Sequence, residues 1–194
     1  MRRTGYVYAL RYLLHDPGSW HPESLARLKA IQSDLEMDSV LELLERLRPD
    51  YAPLEWVERH EDPRYCYPGT GYREEEGIGA GKGFTLNLPL PPRSGDAKYL
   101  EVLKTEALPR LRQFAPQLVF ISAGFDAHEK DPLAQMRVTR QGYRDMAQLL
   151  LDLALETASG RLITVLEGGY NPEVLEECVE DHVRLLLGIP FDHF

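Results

Sequence analysis

Hydrophobic positions in the second half of the chain alternate between short apolar runs and longer segments with helical spacing. The runs at 118–122 and 162–166 are short and continuous, which predicts buried β-strands. Segment 139–158 carries its apolar side chains three and four positions apart, which predicts a helix. Buried strands alternating with amphipathic helices are typical of a mainly parallel sheet covered on both faces. We therefore predict a three-layer α/β/α fold.

Weaker patterns predict the remaining elements. Asp96 is expected to cap a helix that has a kink at Pro109. Asn171 and Pro172 are expected to open a final helix that ends at Gly188. The other predicted elements are a strand over 4–14, helices over 23–35 and 40–48, the helix from 96 to 114, and a strand over 84–90. Between them, residues 49–82 are rich in proline and glycine and have no clear periodicity, so they form a functional loop or mark a missing segment.

Composition limits the class of protein. The 194 residues are 43% hydrophobic and carry a net charge of −9, which is typical of a globular chain and disfavours binding to nucleic acid or an anionic membrane. The two cysteines form no C-x-x-C pair, so we expect reduced thiols and a cytoplasmic protein. No apolar run approaches the length of a membrane span.

Polar residues follow both of the strongest predicted strands. Strand 118–122 leads to Asp126, and strand 162–166 leads to Tyr170, each four residues past its strand. If the strands are parallel, both side chains lie at the carboxyl edge of the sheet, where ligands bind in such folds. Structural alternatives remain: Asp126 can cap a turn, and Tyr170 can be a core tyrosine.

The segments around these residues resemble the histone deacetylase and acetylpolyamine amidohydrolase family. The stretch from 122 to 171 is the most specific part of the resemblance, because several motifs follow one another there in order and spacing. The matching motifs are H-D-P-G at 15–18, H-P-E at 21–23, R-L at 27–28, Y-P-G-T-G at 67–71, N-L-P-L at 87–90, S-A-G-F-D-A-H at 122–128, D-P-L at 131–133 and E-G-G-Y-N at 167–171.

The resemblance implies an arginase-like α/β fold and zinc-dependent hydrolysis of acyl groups from lysine side chains or polyamines. By this correspondence Asp126 is a zinc ligand and Tyr170 polarises the acyl carbonyl. Gly168 and Gly169 shape the floor of the substrate pocket. Met136 falls in the loop that lines the acyl channel in the family.

The chain departs from the family pattern at its centre. Its six histidines include no adjacent pair, and its single D-x-H sequence, Asp126-Ala127-His128, belongs to the A-G-F-D motif, so two of the three metal ligands and the general base that the resemblance implies are missing. We predict a single domain over 1–194 with an internal deletion near 57–66. One carboxylate does not hold zinc against hydration, because a catalytic zinc takes three protein ligands. His60 and His128 are the nearest substitutes along the sequence.

Three hypotheses follow for the function. The chain is an impaired or inactive zinc deacylase acting on acetylated lysine or polyamines, a non-catalytic remnant or interaction module, or a subunit whose site is completed by a second chain. Loss of a central strand would leave sheet edges and apolar surface uncovered, which favours homo-oligomers through those edges.

Overall fold

The computed structural model describes residues 4–8, 12, 21–47 and 71–191. The chain divides into two compact units, Met1–Arg48 with Pro92–Phe194, and Pro49–Pro91. Residues 9–11 and 13–14 of the predicted first strand, the junction at 57–66 and His60 lie outside the described residues. The prediction of a single domain over 1–194 therefore stays a prediction.

The first unit contains four strands and five α-helices among its described residues. The strands are β1 Gly5–Val7, β2 Glu45–Leu47, β3 Val119–Ala123 and β4 Leu162–Leu166, and the helices are α1 Leu25–Met37, α2 Asp96–Val102, α3 Leu108–Phe114, α4 Arg140–Thr157 and α5 Pro172–Leu187. Strands β3 and β4 pair in parallel, from Val119 opposite Leu162 to Ala123 opposite Leu166. This pairing confirms the two strongest strand predictions and their parallel direction.

The β3–β4 sheet has one packed face and one exposed face. Val119 is buried against Leu108 of α3 and against the α4 residues Leu153 and Ala154. Side chains alternate along a strand, so the residues next to Val119 in β3, and those next to its partner Leu162 in β4, point to the opposite face. Large apolar side chains are exposed there: Phe120 at 60%, Ile163 at 46% and Val165 at 40%.

Helices α1 and α5 pack together and form the second core. Its most deeply buried side chains are Leu35, Val40, Leu175, Cys178 and Leu187. Helix α5 begins at Pro172 with the Asn171 side chain accepting from the Val174 backbone N–H, and it ends at Gly188 in the left-handed conformation. Both predicted ends of this helix are therefore confirmed.

The predicted helix over 40–48 is wrong. Val40–Leu43 form only a 3-10 turn, and Glu45–Leu47 form strand β2, which pairs in parallel with β1. The Glu45 backbone N–H donates to the Thr4 carbonyl at 2.9 Å at the start of this pairing. A pairing across the sequence overrides the local helical spacing, because strand formation depends on its partner.

The helical segment from Asp96 to Phe114 is confirmed, with a different start. Gly95 takes the cap position, and the Asp96 carboxylate instead accepts from the backbone N–H and hydroxyl of Thr139 at 2.7 and 2.6 Å. A π-helical turn over Leu103–Ala107 precedes Pro109. Proline lacks the N–H needed for a regular helical bond, which accounts for a local change of pitch at this point.

The second unit is described over 71–91 and is irregular. The predicted strand over 84–90 is wrong, because the Asn87 amide donates to the carbonyls of Tyr72 and Glu75 at 2.9 Å each instead of entering a sheet. In the part of the chain that the structure describes, no helix is long and apolar enough to cross a membrane.

Candidate functional site

Two loops leave the carboxyl ends of β3 and β4 side by side. The parallel hydrogen-bond pattern continues past the strands, since Glu167 N–H donates to the Ala123 carbonyl at 2.9 Å and Phe125 N–H donates to the Gly168 carbonyl at 3.0 Å. These bonds fix the A-G-F-D loop against the G-G-Y loop. Asp126 and Tyr170 are thereby brought to the same edge of the sheet.

The Asp126 carboxylate sits against the backbone of both loops. A Cβ atom added at Gly168 would lie 2.6 Å from Asp126 Oδ2, and one added at Gly124 would lie 2.8 Å from Oδ1. Only glycine leaves room for the carboxylate at these two positions. Burial raises the pKa of Asp126, the Asp131 charge raises it further, and the Arg27 charge acts against both.

Tyr170 is held through its backbone by Asp131. The Tyr170 N–H donates to Asp131 Oδ2 at 2.7 Å, while Asp131 Oδ1 accepts from the Leu133 N–H at 2.9 Å. Burial raises the pKa of the Tyr170 phenol, and the Asp126 charge adds to this rise. The hydroxyl is therefore neutral at physiological pH and can donate a hydrogen bond to an acyl carbonyl.

Arg27 of α1 ties the G-G-Y loop to the core formed by α1 and α5. Its guanidinium is 3% exposed and donates to the carbonyls of Gly169 and Glu167, at 2.5 Å each. It also pairs with Glu23 and lies 5.1 Å from the centre of the Tyr170 ring. Arg27 belongs to the opening motifs of the family resemblance, but sequence reasoning assigned it no role in the site. Its partners are more than a hundred residues away along the chain, so no local pattern indicated these contacts.

Gly169 has a packing requirement of its own. Its φ is +122°, a conformation that side chains disfavour, and an added Cβ would lie 2.9 Å from Leu175 Cδ1 and 3.0 Å from Phe125 Cβ. Of the two glycines, Gly168 therefore contacts Asp126, and Gly169 packs the loop onto α5. Their roles in a substrate pocket stay predictions.

Met136 follows Asp131 by five residues along the chain. It lines a polar cavity of about 480 Å³ together with Arg93, Glu129, Asp131, Gln135 and Arg137. Asp131 connects this cavity to the Tyr170 loop through the backbone bond described above. The prediction that Met136 lines an acyl channel remains untested by these contacts.

The described residues do not fit a zinc ion. Among residues 4–8, 12, 21–47 and 71–191, no group of three or more His, Cys, Asp or Glu side chains could hold a metal. His128 is buried, accepts from the Lys130 N–H through Nδ1 at 3.1 Å, and stacks on Tyr143 of α4 at 6.4 Å. Its contacts are those of a structural residue, and they do not support the substitution of His128 for a missing metal ligand.

Comparison with known proteins places these loops in a family. A profile described as histone deacetylase domain matches residues 54–186. A probable deacetylase from Archaeoglobus fulgidus is 43% identical over 118 residues, 61% of this chain and 32% of the relative. An acetylpolyamine amidohydrolase from Burkholderia pseudomallei is 35% identical over 152 residues, 78% of this chain and 42% of the relative. The chain spans less than half the length of either relative.

A solved structure shows the fold. The crystal structure of the HDA15 HD domain matches with a TM-score of 0.81 at 20% sequence identity, covering 96% of this chain and 88% of that one. This similarity confirms the predicted deacetylase-type α/β fold.

Proposed function

Because this chain belongs to the histone deacetylase family, we propose that it keeps the carbonyl-binding part of the family's site and lacks the hydrolytic part. One observation carries the proposal. Tyr170 is fixed next to Asp126 by Asp131 and Arg27, while the whole sequence contains no adjacent histidines and no D-x-H sequence besides Asp126-Ala127-His128 of the A-G-F-D motif. The chain is then a protein that binds acyl amides without cleaving them.

The chemistry of hydrolysis explains why binding and cleavage separate here. A catalytic zinc takes about three protein ligands and lowers the pKa of a bound water to about 7, which supplies the nucleophile. Asp126 alone leaves most coordination positions of a zinc ion to water. A general base would add roughly 10²–10⁴ in rate, and the sequence offers no histidine pair for this role. Tyr170 can polarise a carbonyl, but it has no nucleophile to assist.

The finer features follow the family resemblance. We propose acyl-lysine peptides or acetylpolyamines as the bound class, with zinc retained weakly if at all, and a cytoplasmic location. Tyr170 donates to the acyl carbonyl, Gly168 and Gly169 form the backbone beside it, and Met136 lines the entrance. Asp126 occupies the position of a metal ligand.

Zinc content and turnover test the proposal. Purified protein is dialysed against zinc, analysed by mass spectrometry for bound metal, and assayed with an acetyl-lysine peptide and with acetylspermidine. We expect far less than one equivalent of zinc and no hydrolysis above that of Asp126→Asn. One equivalent of zinc together with hydrolysis that Asp126→Asn abolishes would overturn the proposal.

Binding is measured separately by NMR titration with the same two acyl amides. Tyr170→Phe is expected to weaken binding about fivefold, since a net hydrogen bond is worth about 1 kcal/mol. Tyr72→Phe, at an exposed tyrosine of the second unit, is the matched control and should have no effect. Absence of binding to the unaltered chain would refute the carbonyl-binding role.

A second candidate is a site completed by another copy of the chain. The exposed apolar side chains of Phe120, Ile163 and Val165 on one sheet face favour association. Light scattering over a concentration series should then show a dimer that Phe120→Ser disrupts, with hydrolysis rising more steeply than protein concentration. A monomer at all concentrations would exclude this candidate.

A further inference from the structure

The polar cavity that Met136 lines carries charges that the proposed function does not use. Its volume is about 480 Å³, and all of its lining residues belong to the first unit. Asp131, whose carboxylate accepts from the Tyr170 N–H, is one of them. Three more are charged: Arg93, Glu129 and Arg137. The cavity is therefore connected to the candidate site through Asp131 and has a chemistry of its own.

The backbone around this cavity is fixed by pairing between three segments. Three hydrogen bonds join them: the Arg93 N–H to the Gln135 carbonyl at 3.1 Å, the Arg137 N–H to the Ser94 carbonyl at 2.9 Å, and the Glu129 N–H to the Val138 carbonyl at 2.9 Å. Arg93 and Gln135 have φ angles of +67° and +53°, in the left-handed region that residues other than glycine seldom adopt. The pairing holds both residues in this conformation. The positions from which the charged side chains extend are therefore set by the fold itself.

Charges of opposite sign line the cavity without neutralising each other. Within the part of the chain that the structure describes, the side chains of Arg93, Glu129 and Arg137 make no ion pair and no hydrogen bond. Both oxygens of Asp131, in contrast, already accept from backbone N–H groups. An ion pair needs an approach within about 4 Å, so the arginines and Glu129 line one space and do not close it. Each of these three charges is thus available to a ligand.

We infer that this cavity binds the zwitterionic head group of an α-amino acid, with the carboxylate on Arg93 and Arg137 and the ammonium group on Glu129. A guanidinium holds a carboxylate through two parallel hydrogen bonds, and such charge-assisted bonds are the strong ones. A ligand with only one charge leaves the opposite charge in the wall without a partner, which favours a ligand that carries both. Met136 supplies an apolar lining residue for the side chain of the ligand. This recognition does not rest on the function proposed above.

One ligand has groups for both the cavity and the candidate site. Free Nε-acetyl-lysine carries the amino-acid head group at one end and an acyl amide at the other. Because Asp131 connects the cavity to the Tyr170 loop, this ligand is the member of the proposed class that fits best. An acetylpolyamine has no carboxylate for the arginines, and a lysine inside a peptide has both of its α-groups in amide bonds. This step, unlike the first, rests on the proposed function.

Three probes with the same apolar chain test the recognition of the head group. Norleucine is a zwitterion, pentylamine lacks its carboxylate, and hexanoate lacks its ammonium group. Each probe is titrated into the full chain, and the backbone N–H signals of Gln135 and Arg137 are followed by NMR. We expect norleucine to bind with a dissociation constant on the order of 1 mM and both analogues to bind about tenfold more weakly, because each loses hydrogen bonds to a charged group. Equal binding of the three probes, or no binding of norleucine, would overturn the inference.

Variants that remove single charges assign each contact. The double variant Arg93→Gln with Arg137→Gln should lower the affinity for norleucine to that of the unaltered chain for pentylamine. Glu129→Gln should lower it to that of the unaltered chain for hexanoate. Arg110→Gln removes an exposed positive charge from α3 and is the control, with no effect expected. Norleucine affinity that stays unchanged in the double variant and in Glu129→Gln would contradict the assignment.

Nε-acetyl-lysine then tests the connection to Tyr170. It should bind about fivefold tighter than norleucine, and Tyr170→Phe should remove this difference without changing the binding of norleucine. Equal affinity of the two ligands for the unaltered chain would refute the connection and leave the recognition of the head group standing. If norleucine does not bind while an acetyl-lysine peptide does, the inference fails and the proposed function stands.

Discussion

Arg27→Met is the substitution that tests the architecture of the candidate site most directly. Methionine keeps an apolar stem in the buried space but leaves the carbonyls of Gly169 and Glu167 without their donors. Each buried unsatisfied group costs about 1–3 kcal/mol, and the partly exposed ion pair with Glu23 adds little. We therefore expect a loss of about 2–5 kcal/mol in the free energy of unfolding. Urea denaturation followed by circular dichroism measures this loss as a shift of the midpoint at constant slope.

The matched control is another arginine with an exposed ion pair. Arg112 donates to Glu156 at 2.9 Å, but the two side chains are 44% and 53% exposed. Arg112→Met should cost less than about 1 kcal/mol, because surface ion pairs are screened by water. If Arg27→Met and Arg112→Met lower stability equally, the buried guanidinium does not hold the G-G-Y loop and the reasoning fails.

Three further substitutions test contacts and titrations. Gly168→Ala should lower the free energy of unfolding by about 1–3 kcal/mol in urea denaturation, because the added Cβ meets the Asp126 carboxylate. Gly81→Ala is the control and should be near neutral, because the space around Gly81 is open. Equal effects of the two substitutions would contradict the steric argument. Burial raises the pKa of Glu180 from 4.5 to about 7, so the folded chain binds more protons and this contribution to stability falls as pH rises across that range. Glu180→Gln should remove this fall from the stability curve. Burial lowers the pKa of His182 from 6.5 to about 4, so its contribution is lost as pH falls across that range, and His182→Gln should flatten the acid side of the stability curve. An unchanged pH profile in either variant refutes the corresponding assignment.

Local signals were sufficient for the elements that build the candidate site. The strands at 119–123 and 162–166 are short apolar runs flanked by glycine or polar residues, and helix α5 has a cap, a proline and a terminal glycine at its ends. These features act over a few residues, so the sequence displays them directly. Parallel pairing of the strands then placed Asp126 and Tyr170 at one edge.

Long-range partners explain the errors and omissions. Strand β2 forms where a helix was predicted because β1, far away in sequence, supplies its hydrogen bonds. Segment 84–90 has strand-like composition, but the Asn87 side chain bonds to loop carbonyls and no strand forms. Arg27 could not be assigned to the site because its partners at 167 and 169 are adjacent only after folding.

The candidate edge is assembled by protein groups alone. Backbone bonds between the two loops, the Asp131 carboxylate on the Tyr170 N–H and the Arg27 guanidinium on two carbonyls account for its geometry. None of these contacts requires a metal ion. In the proposed function, the missing metal ligands therefore do not disturb the Tyr170 loop, since the forces that position a carbonyl donor are distinct from those that generate a nucleophile. In that proposal, the family motifs that the chain keeps and those that it lacks separate along this physical boundary.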